Sequence, residues 1–181
     1  MTKHSDAPFH LAILGTSRSG GNTAQALFKL VEKQPVTCVD LNDLAIAPYH
    51  YEHAYAVEDD FHALAKRLAS AETILLATPV YWYTMSAQMK VFFDRLSDLL
   101  TIRKPLGRAL AGKRLSFLSV GTQAELPQGF ADPFWQTCDY FDMVYHPGLY
   151  LQAEDVFEMT EGRKQIMMDF AIGFWGPQPT A

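Results

Sequence analysis

The chain has 181 residues, of which 49% are hydrophobic, and its formal net charge at pH 7 is −5. Such a chain can build one domain with a full hydrophobic core, so it is not disordered and needs no disulfide or metal to fold. Its acidic average field disfavours binding to nucleic acid and to anionic membranes, although a local basic patch remains compatible with that average.

The elements predicted from hydrophobic spacing alternate between strands and helices. Strands are predicted over residues 9–15, 36–41, 73–78, 114–120 and 148–152. The first helix is predicted to follow Asn22, which can cap it. Four further helices are predicted over residues 58–71, 86–100, 134–144 and about 160–174. Residues 42–57 show no hydrophobic periodicity, which predicts a long loop. Residues 1–8 and 176–181 are expected to be loose termini.

Five near-continuous apolar strands that alternate with five helices predict an open parallel α/β sheet covered on both faces. No internal repeat or linker divides the sequence, so we expect a single domain over residues 1–181. In sheets of this kind, ligands bind beyond the carboxyl ends of the strands, where the strand order reverses. The loops after the first, third and fourth strands are therefore the candidate site.

The loop after the first strand reads GTSRSGGNT over residues 15–23 and leads into a helix. Backbone N–H groups at a helix N-terminus bind anions, and Arg18 can add charge-assisted hydrogen bonds. A P-loop is excluded because Gly21 stands in place of its lysine, and the dinucleotide fingerprint is excluded because Ser17 replaces its second glycine. We interpret the loop as a monophosphate site without magnesium; the alternative is an ordinary polar turn.

The loop after the third strand reads TPVYWYTMS over residues 78–86 and holds consecutive aromatic residues. Tight turns favour small polar residues, so these aromatics favour a loop that packs on a planar ring. A ligand role is favoured for residues 79–81. Trp82 and Tyr83 are equally compatible with covering the sheet edge or a subunit interface.

The loop after the fourth strand is a weaker signal that completes the cleft. Gly121 permits a ligand to approach the backbone closely, because it carries no side chain. Thr122 and Gln123 can hydrogen-bond the polar atoms of a ring system.

These loops resemble the motifs of the NADPH-dependent FMN reductase family within the flavodoxin-like superfamily. GTSRSGGNT resembles the family's G-S-x-R-x-x-G-N-T phosphate loop, with Thr16 at a position that is commonly serine. TPVYWYTMSAQMKVFFDR is similar to its S/T-P-V-Y…S-A-x-x-K-x-F-x-D-R signature, and the match spans most of the chain. The resemblance implies a flavodoxin-like open five-stranded parallel sheet of order 2-1-3-4-5.

The resemblance also implies noncovalent FMN, NAD(P)H as the reductant and a small-molecule acceptor such as a quinone or a flavin. A homodimer or homotetramer is implied, with the flavin near the subunit interface. No catalytic side chain is assigned, because the flavin carries the chemistry. The residues expected to bind the cofactor are Thr16, Ser17, Arg18, Ser19, Gly21, Asn22, Thr23, Pro79, Val80, Tyr81, Trp82, Tyr83, Gly121, Thr122 and Gln123.

Two other functions are compatible with such a fold. A noncatalytic electron carrier would tend to be more acidic and would dock redox partners through that charge, whereas aromatics over the ring favour small-molecule access. A flavin-free protein that has kept the fold is disfavoured by the intact phosphate loop.

The region after the second strand departs from related iron-sulfur flavoproteins, which place a cysteine cluster there. Residues 45–61 read AIAPYHYEHAYAVEDDF and contain no cysteine, so no iron-sulfur cluster is expected. His50, Glu52 and His53 suggest a metal site, but further ligands are missing, and we expect solvent-facing or substrate-pocket residues and no metal.

Three residues that match the second signature, Lys90, Asp94 and Arg95, have no role assigned by it. Lys90 and Asp94 stand four positions apart on a predicted helix and can pair there. The sequence leaves open whether these residues are functional or structural.

The cysteines and the first residues bear on the cellular location. Cys38 and Cys138 lack metal-ligand spacing, which is typical of free thiols in a reducing compartment. The opening MTKHSDAPFH has no apolar core of a secretory signal, and no run reaches the roughly 18 apolar residues that span a bilayer. We therefore expect a cytoplasmic protein.

Overall fold

The computed structural model describes residues 9–176 as a parallel sheet between two layers of helices. The strands are β1 His10–Leu14, β2 Val36–Asp40, β3 Thr73–Pro79, β4 Arg114–Gly121, β5 Val144–Tyr145 and β6 Leu149–Gln152. The α-helices are α1 Asn22–Val31, α2 Phe61–Ser70, α3 Ala87–Arg95, α4 Lys104–Arg108, α5 Asp132–Tyr140 and α6 Glu161–Trp175. Short 3-10 helices follow β2 and α3, at Leu41–Asp43 and Leu96–Leu99. Apart from Gly176, the termini expected to be loose lie outside the described residues.

The strands follow the order β2-β1-β3-β4-β5, and every pair is parallel. This confirms the predicted α/β class and the flavodoxin-like strand order. All residues of β1 and β3 are buried, because helices cover the sheet on both faces. The strand order reverses beside β1, which places the ligand site at its carboxyl end.

Alternate residues of each strand face two separate hydrophobic cores. Leu11 and Ile13 of β1 pack in a core with α2, α3 and α5, whereas Ala12 and Leu14 pack in a core with α1 and α6. Both cores pack against the sheet beneath the loops at its carboxyl edge. Within residues 9–176, no helix has the length and apolar character that crossing a membrane requires.

The edge of the sheet beside β4 differs from the prediction of one strand over residues 148–152. β5 pairs with the start of β4 and β6 with its end, so two short strands share one edge position. Pro147 lacks an N–H for the ladder, and its carbonyl accepts a hydrogen bond from Ser116 Oγ at 3.1 Å. A Cβ on Gly148 would lie 2.3 Å from ring atoms of Phe117, so the chain passes too close to β4 for a side chain.

Several predicted helix boundaries are also wrong. The helix predicted over residues 58–71 begins at Phe61, because the carboxylate of Asp60 accepts a hydrogen bond from the Ala45 N–H at 2.8 Å and so anchors the preceding loop. The helix predicted over 86–100 is α3 followed by a 3-10 turn, and the one predicted over 134–144 is α5, two residues earlier at its start. The five-residue helix α4 was not predicted.

Candidate functional site

The loops after β1, β3 and β4 meet at the carboxyl edge of the sheet. Ser17 Oγ and the Tyr81 hydroxyl lie 2.6 Å apart, which joins the first loop to the second. The Val80 N–H donates to the Val120 carbonyl at 2.9 Å, and a Cβ on Gly121 would lie 3.1 Å from Val80 Cβ. The three predicted segments therefore form one continuous surface.

The first loop presents the amino end of α1 without a side-chain cap. The cap residue is Gly21, in extended conformation, and Asn22 is already helical, so the prediction that Asn22 caps the helix is wrong by one position. A glycine cap leaves the N–H groups of the first turn without a side-chain acceptor. Those groups are available to an anion, which the helix dipole also favours.

The side chains of this loop divide into an exposed and a buried set. Ser17, Arg18 and Ser19 are exposed, whereas Thr16 and Thr23 are buried. Within residues 9–176, Arg18 has no carboxylate within ion-pair distance. The loop thus offers a cation and two hydroxyls to an anion, and no acid competes for the cation.

Asn42, which the sequence did not single out, supports the phosphate loop from the end of β2. Its side-chain amide donates to the Thr16 carbonyl at 2.7 Å and to Ser19 Oγ at 3.2 Å. Its backbone N–H donates to Asp40 Oδ1 at 2.9 Å, which caps the short 3-10 helix that carries Asn42. β2 ends at the same edge of the sheet as β1, and that position was the signal in the sequence that could have identified Asn42.

The second loop folds into a tight turn with aromatic residues at its tip. Tyr81 and Thr84 exchange both backbone hydrogen bonds, at 2.8 and 3.1 Å. Trp82 and Tyr83 have φ values of 47° and 69°, and they expose 90% and 61% of their surface. Such a turn normally takes Asn-Gly, since bulky residues are strained at positive φ. Backbone strain of this kind clusters at functional sites.

Ser86 ties the aromatic loop to the phosphate loop. Its hydroxyl donates to the Gly15 carbonyl at 2.7 Å and accepts the Met89 N–H at 3.2 Å, so that it also caps α3. Its backbone N–H donates to Thr78 Oγ1 at 3.0 Å. Since all these groups are buried, the relative position of the two loops is fixed from beneath.

The third loop is held by two side chains of β6. Tyr150 donates its hydroxyl hydrogen to the Gln123 carbonyl at 2.6 Å, and Gln152 Nε2 donates to the Thr122 carbonyl at 3.0 Å. The side chains of Thr122 and Gln123 remain exposed. With these carbonyls engaged, the loop presents its side chains and N–H groups to a ligand. No sequence motif points to Tyr150 or Gln152.

The long loop over residues 42–60 is clamped by Arg95, which is 2% exposed. The guanidinium donates to both carboxylate oxygens of Asp59, at 2.7 and 2.9 Å, and to Asp98 Oδ2 at 3.0 Å. It also stacks on the Tyr55 ring, 3.6 Å from the centroid. Burial alone would raise the pKa of Asp59, but the bonds from Arg95 and two backbone N–H groups hold that pKa below its ordinary value. The role of Arg95 is therefore structural.

The other residues whose roles were open also have partners. Lys90 and Asp94 form an exposed pair at 2.5 Å, and exposed His50 pairs with Glu52 at 2.9 Å. His53 Nδ1 lies 3.0 Å from Asp98 Oδ1. In the part of the chain from 9 to 176, no three His, Cys, Asp or Glu side chains converge as metal ligands would. The lack of a metal stays a prediction.

The geometry can be compared with known proteins. A family model described as NADPH-dependent FMN reductase matches residues 10–156, a range that holds every strand and all three loops. The chain belongs to this family. Membership agrees with the cofactor expected from the motifs, FMN, and with NAD(P)H as the reductant.

One curated relative and several solved structures are similar to this family member. The Bacillus subtilis protein YwqN, provisionally named an NAD(P)H-dependent FMN-containing oxidoreductase, is 35% identical over 98 residues, which is 51% of this chain and 53% of YwqN. The chain thus matches about half the length of this curated relative.

Structures of low sequence identity show the same fold. The Trp repressor binding protein of Bacillus subtilis has a TM-score of 0.69 at 22% identity, covering 90% of this chain and 97% of that one. An NADPH-quinone reductase from P. pentosaceus has a TM-score of 0.64 at 18% identity, covering 92% and 97%. General stress protein 14 from Treponema denticola, solved in complex with FMN, has a TM-score of 0.56 at 17% identity, covering 93% and 96%.

Proposed function

We propose that the protein is an FMN-dependent oxidoreductase that passes hydride from NAD(P)H through bound FMN to a small acceptor such as a quinone or a flavin. The observation that carries this proposal is the contact between Ser17 and Tyr81, which joins an anion-binding loop to an exposed aromatic turn. A molecule with a phosphate at one end and a planar ring at the other suits that arrangement. The structural neighbour named as a quinone reductase supports the acceptor class.

The residues present fit FMN in charge and in shape. The uncapped amino end of α1 and the free cation of Arg18 suit a phosphate. Gly121 is buried against Val80 and the Tyr150 hydroxyl, and its lack of a side chain lets the third loop lie close to the second. Ser17, Arg18 and Ser19 would hold the phosphate, while Tyr81 and Thr122 would border the ring.

When bound, FMN supplies the two-electron chemistry, accepting a hydride from NAD(P)H and delivering it to the acceptor. The protein's residues bind and orient the reactants. The aromatic turn offers Trp82 and Tyr83 as flat apolar surfaces on which a planar acceptor or a nicotinamide ring can stack. Because the loops are tethered by buried groups such as Ser86, little ordering is needed when the reactants bind.

The homodimer or homotetramer belongs to the same proposal. Trp82 exposes 90% of its surface, which is more than a tryptophan side chain usually exposes in a complete binding site. A second subunit would cover it and exclude water from the flavin. The cytoplasmic location stays a prediction.

Steady-state assays with a water-soluble quinone test the proposal. FMN-loaded protein should oxidise NADPH or NADH in proportion to added quinone. Trp82→Ala should raise KM for the quinone about three- to tenfold, the size of an aromatic contact, while Trp82→Phe should retain most of the affinity. If NAD(P)H oxidation does not depend on any small acceptor, the protein is an electron carrier and the proposal fails.

A further inference from the structure

A basic face on α2 and α4 lies apart from the flavin loops. Residues 61–71 and 101–113 contain six of the 15 Lys and Arg residues of the chain and none of its 20 Asp and Glu residues. The six cations are Lys66, Arg67, Arg103, Lys104, Arg108 and Lys113. The two helices pack against each other, which brings the cations of the two segments near one another.

Within residues 9–176, none of the six cations has a carboxylate within ion-pair distance. Lys113 differs from the other five, because its Nζ donates to the Ala71 carbonyl at 2.6 Å and the charge of Glu72 acts on it. Surface cations in an acidic protein usually lie beside carboxylates that offset them. A segregated cluster of this kind repels itself, and an anion bound there would relieve that repulsion.

His62 gives this face a defined centre. Its Nδ1 atom is buried and has no hydrogen-bond partner within the described residues. Lys66 stands four residues further along α2 and therefore on the same side of the helix, and Arg103 comes directly before α4. Burial lowers the pKa of His62, and the charges of Arg103 and Lys66 lower it further.

We propose that His62, Lys66 and Arg103 form a second anion site, which binds a phosphate group. Lys66 and Arg103 supply charged donors and His62 supplies a ring N–H, and a phosphate has several oxygens that can accept from them. α2 and α4 lead into the amino ends of β3 and β4, whereas the phosphate loop lies at the carboxyl edge of the sheet. The proposed site is therefore separate from the flavin site and does not depend on the proposed function.

The test is a titration of the His62 side chain by NMR in the full chain saturated with FMN. His62→Gln assigns the resonance. Inorganic phosphate should raise the titration midpoint of His62 by about one pH unit, because a neighbouring anion stabilises the imidazolium form. Sodium chloride at equal ionic strength should leave the midpoint nearly unchanged.

Variants separate a built site from a diffuse basic surface. Lys66→Gln and Arg103→Gln should each weaken the phosphate response about tenfold, the value of a charge-assisted hydrogen bond, while Lys33→Gln on the opposite layer should not. Arg18→Ala should keep the full response, which distinguishes this site from the phosphate loop. An equal response in chloride, or one that Lys66→Gln and Arg103→Gln leave intact, overturns the proposal.

A second measurement identifies the source of the phosphate group. Phosphatidylcholine vesicles with and without phosphatidic acid are mixed with the same protein, and sedimentation is measured. A response to inorganic phosphate without sedimentation assigns the site to a free phosphate-bearing molecule. Sedimentation only with phosphatidic acid, abolished by Arg103→Gln, assigns it to a lipid headgroup. If the protein neither responds to inorganic phosphate nor sediments with phosphatidic acid, the proposal is contradicted in both forms.

Discussion

Arg18 is the residue on which FMN retention should depend most. Its guanidinium has no competing acid among the described residues, and it lies beside the uncapped amino end of α1. Arg18→Ala should raise the Kd for FMN by a factor of about ten or more, since a hydrogen bond to a charged group contributes roughly 1.5–3 kcal/mol. Flavin fluorescence titration measures this, with Arg67→Ala as the control. An unchanged Kd would exclude Arg18 from phosphate binding.

Asn42 should affect FMN binding without touching the cofactor. Its amide holds the Thr16 carbonyl and Ser19 Oγ, and each lost bond costs about 0.5–1.5 kcal/mol. Asn42→Ala should therefore raise the Kd for FMN roughly five- to tenfold, in the same fluorescence titration. Gln165→Ala, which removes an exposed amide on α6, is the matched control. A lower melting temperature with an unchanged Kd would reduce Asn42 to a purely structural residue.

The sequence predicted the residues of the site only where a motif or a strand end exposed them. Ser17, Tyr81 and Gly121 were predicted from their loops, and the structure brings those loops together. Asn42 and Tyr150 were missed, because they act on backbone carbonyls of loops that are distant in sequence. Such contacts depend on strand pairing, which no local pattern reveals.

Among the elements, the clamp between α3 and the loop over residues 42–60 should dominate local stability. Arg95→Met leaves Asp59 and Asp98 buried without their cation, and breaking a buried pair in this way costs about 3–5 kcal/mol. Lys90→Met removes an exposed pair on the same helix and should cost no more than about 0.5 kcal/mol. Urea unfolding of both variants measures the difference. Similar losses in the free energy of unfolding for Arg95→Met and Lys90→Met would contradict a buried clamp.

Element boundaries were predicted less well than element types, for reasons visible in the packing. α4 has only five residues, too few to show a hydrophobic period. β5 and β6 are separated by Pro147, which has no N–H for the ladder, and by Gly148, where the chain passes too close to Phe117 for a side chain. The three central strands, β1, β3 and β4, were predicted because they are near-continuous apolar runs.

At the scale of the whole molecule, the average charge concealed an asymmetry. A net charge of −5 disfavoured anionic partners, yet the segments of α2 and α4 contain no acid at all. Composition reports the sum of the charges, and only the packing of two helices distant in sequence shows that these two basic segments are neighbours.

Global stability should fall in two stages as the pH is lowered. Burial lowers the pKa of His10, and the pKa of His62 is lowered as well, so the unfolded chain binds more protons below the ordinary histidine pKa of 6.5. Stability should therefore decrease as the pH falls through 6.5. The pKa of Asp59 is held below 3.8, and its contribution, present above that pH, is lost as the pH falls further.

Urea unfolding of the FMN-free protein between pH 7.5 and 3 measures both stages. In the double variant His10→Gln, His62→Gln, the loss of stability as the pH falls through 6.5 should be much smaller. The loss at lower pH should be unchanged. A stability that stays constant between pH 7.5 and 5 in the unmodified protein would contradict burial of these two histidines in the neutral form.

The absorption spectrum of the FMN-reconstituted protein, recorded anaerobically before and after addition of NADPH or NADH, tests the proposed activity most directly. After removal of free flavin, a bound flavin band should remain, and one of the two nucleotides should bleach it within the mixing time of a manual experiment. Addition of a quinone should then restore the band. Loss of all flavin on gel filtration would contradict FMN binding, and a retained band that neither nucleotide bleaches would contradict the reductase.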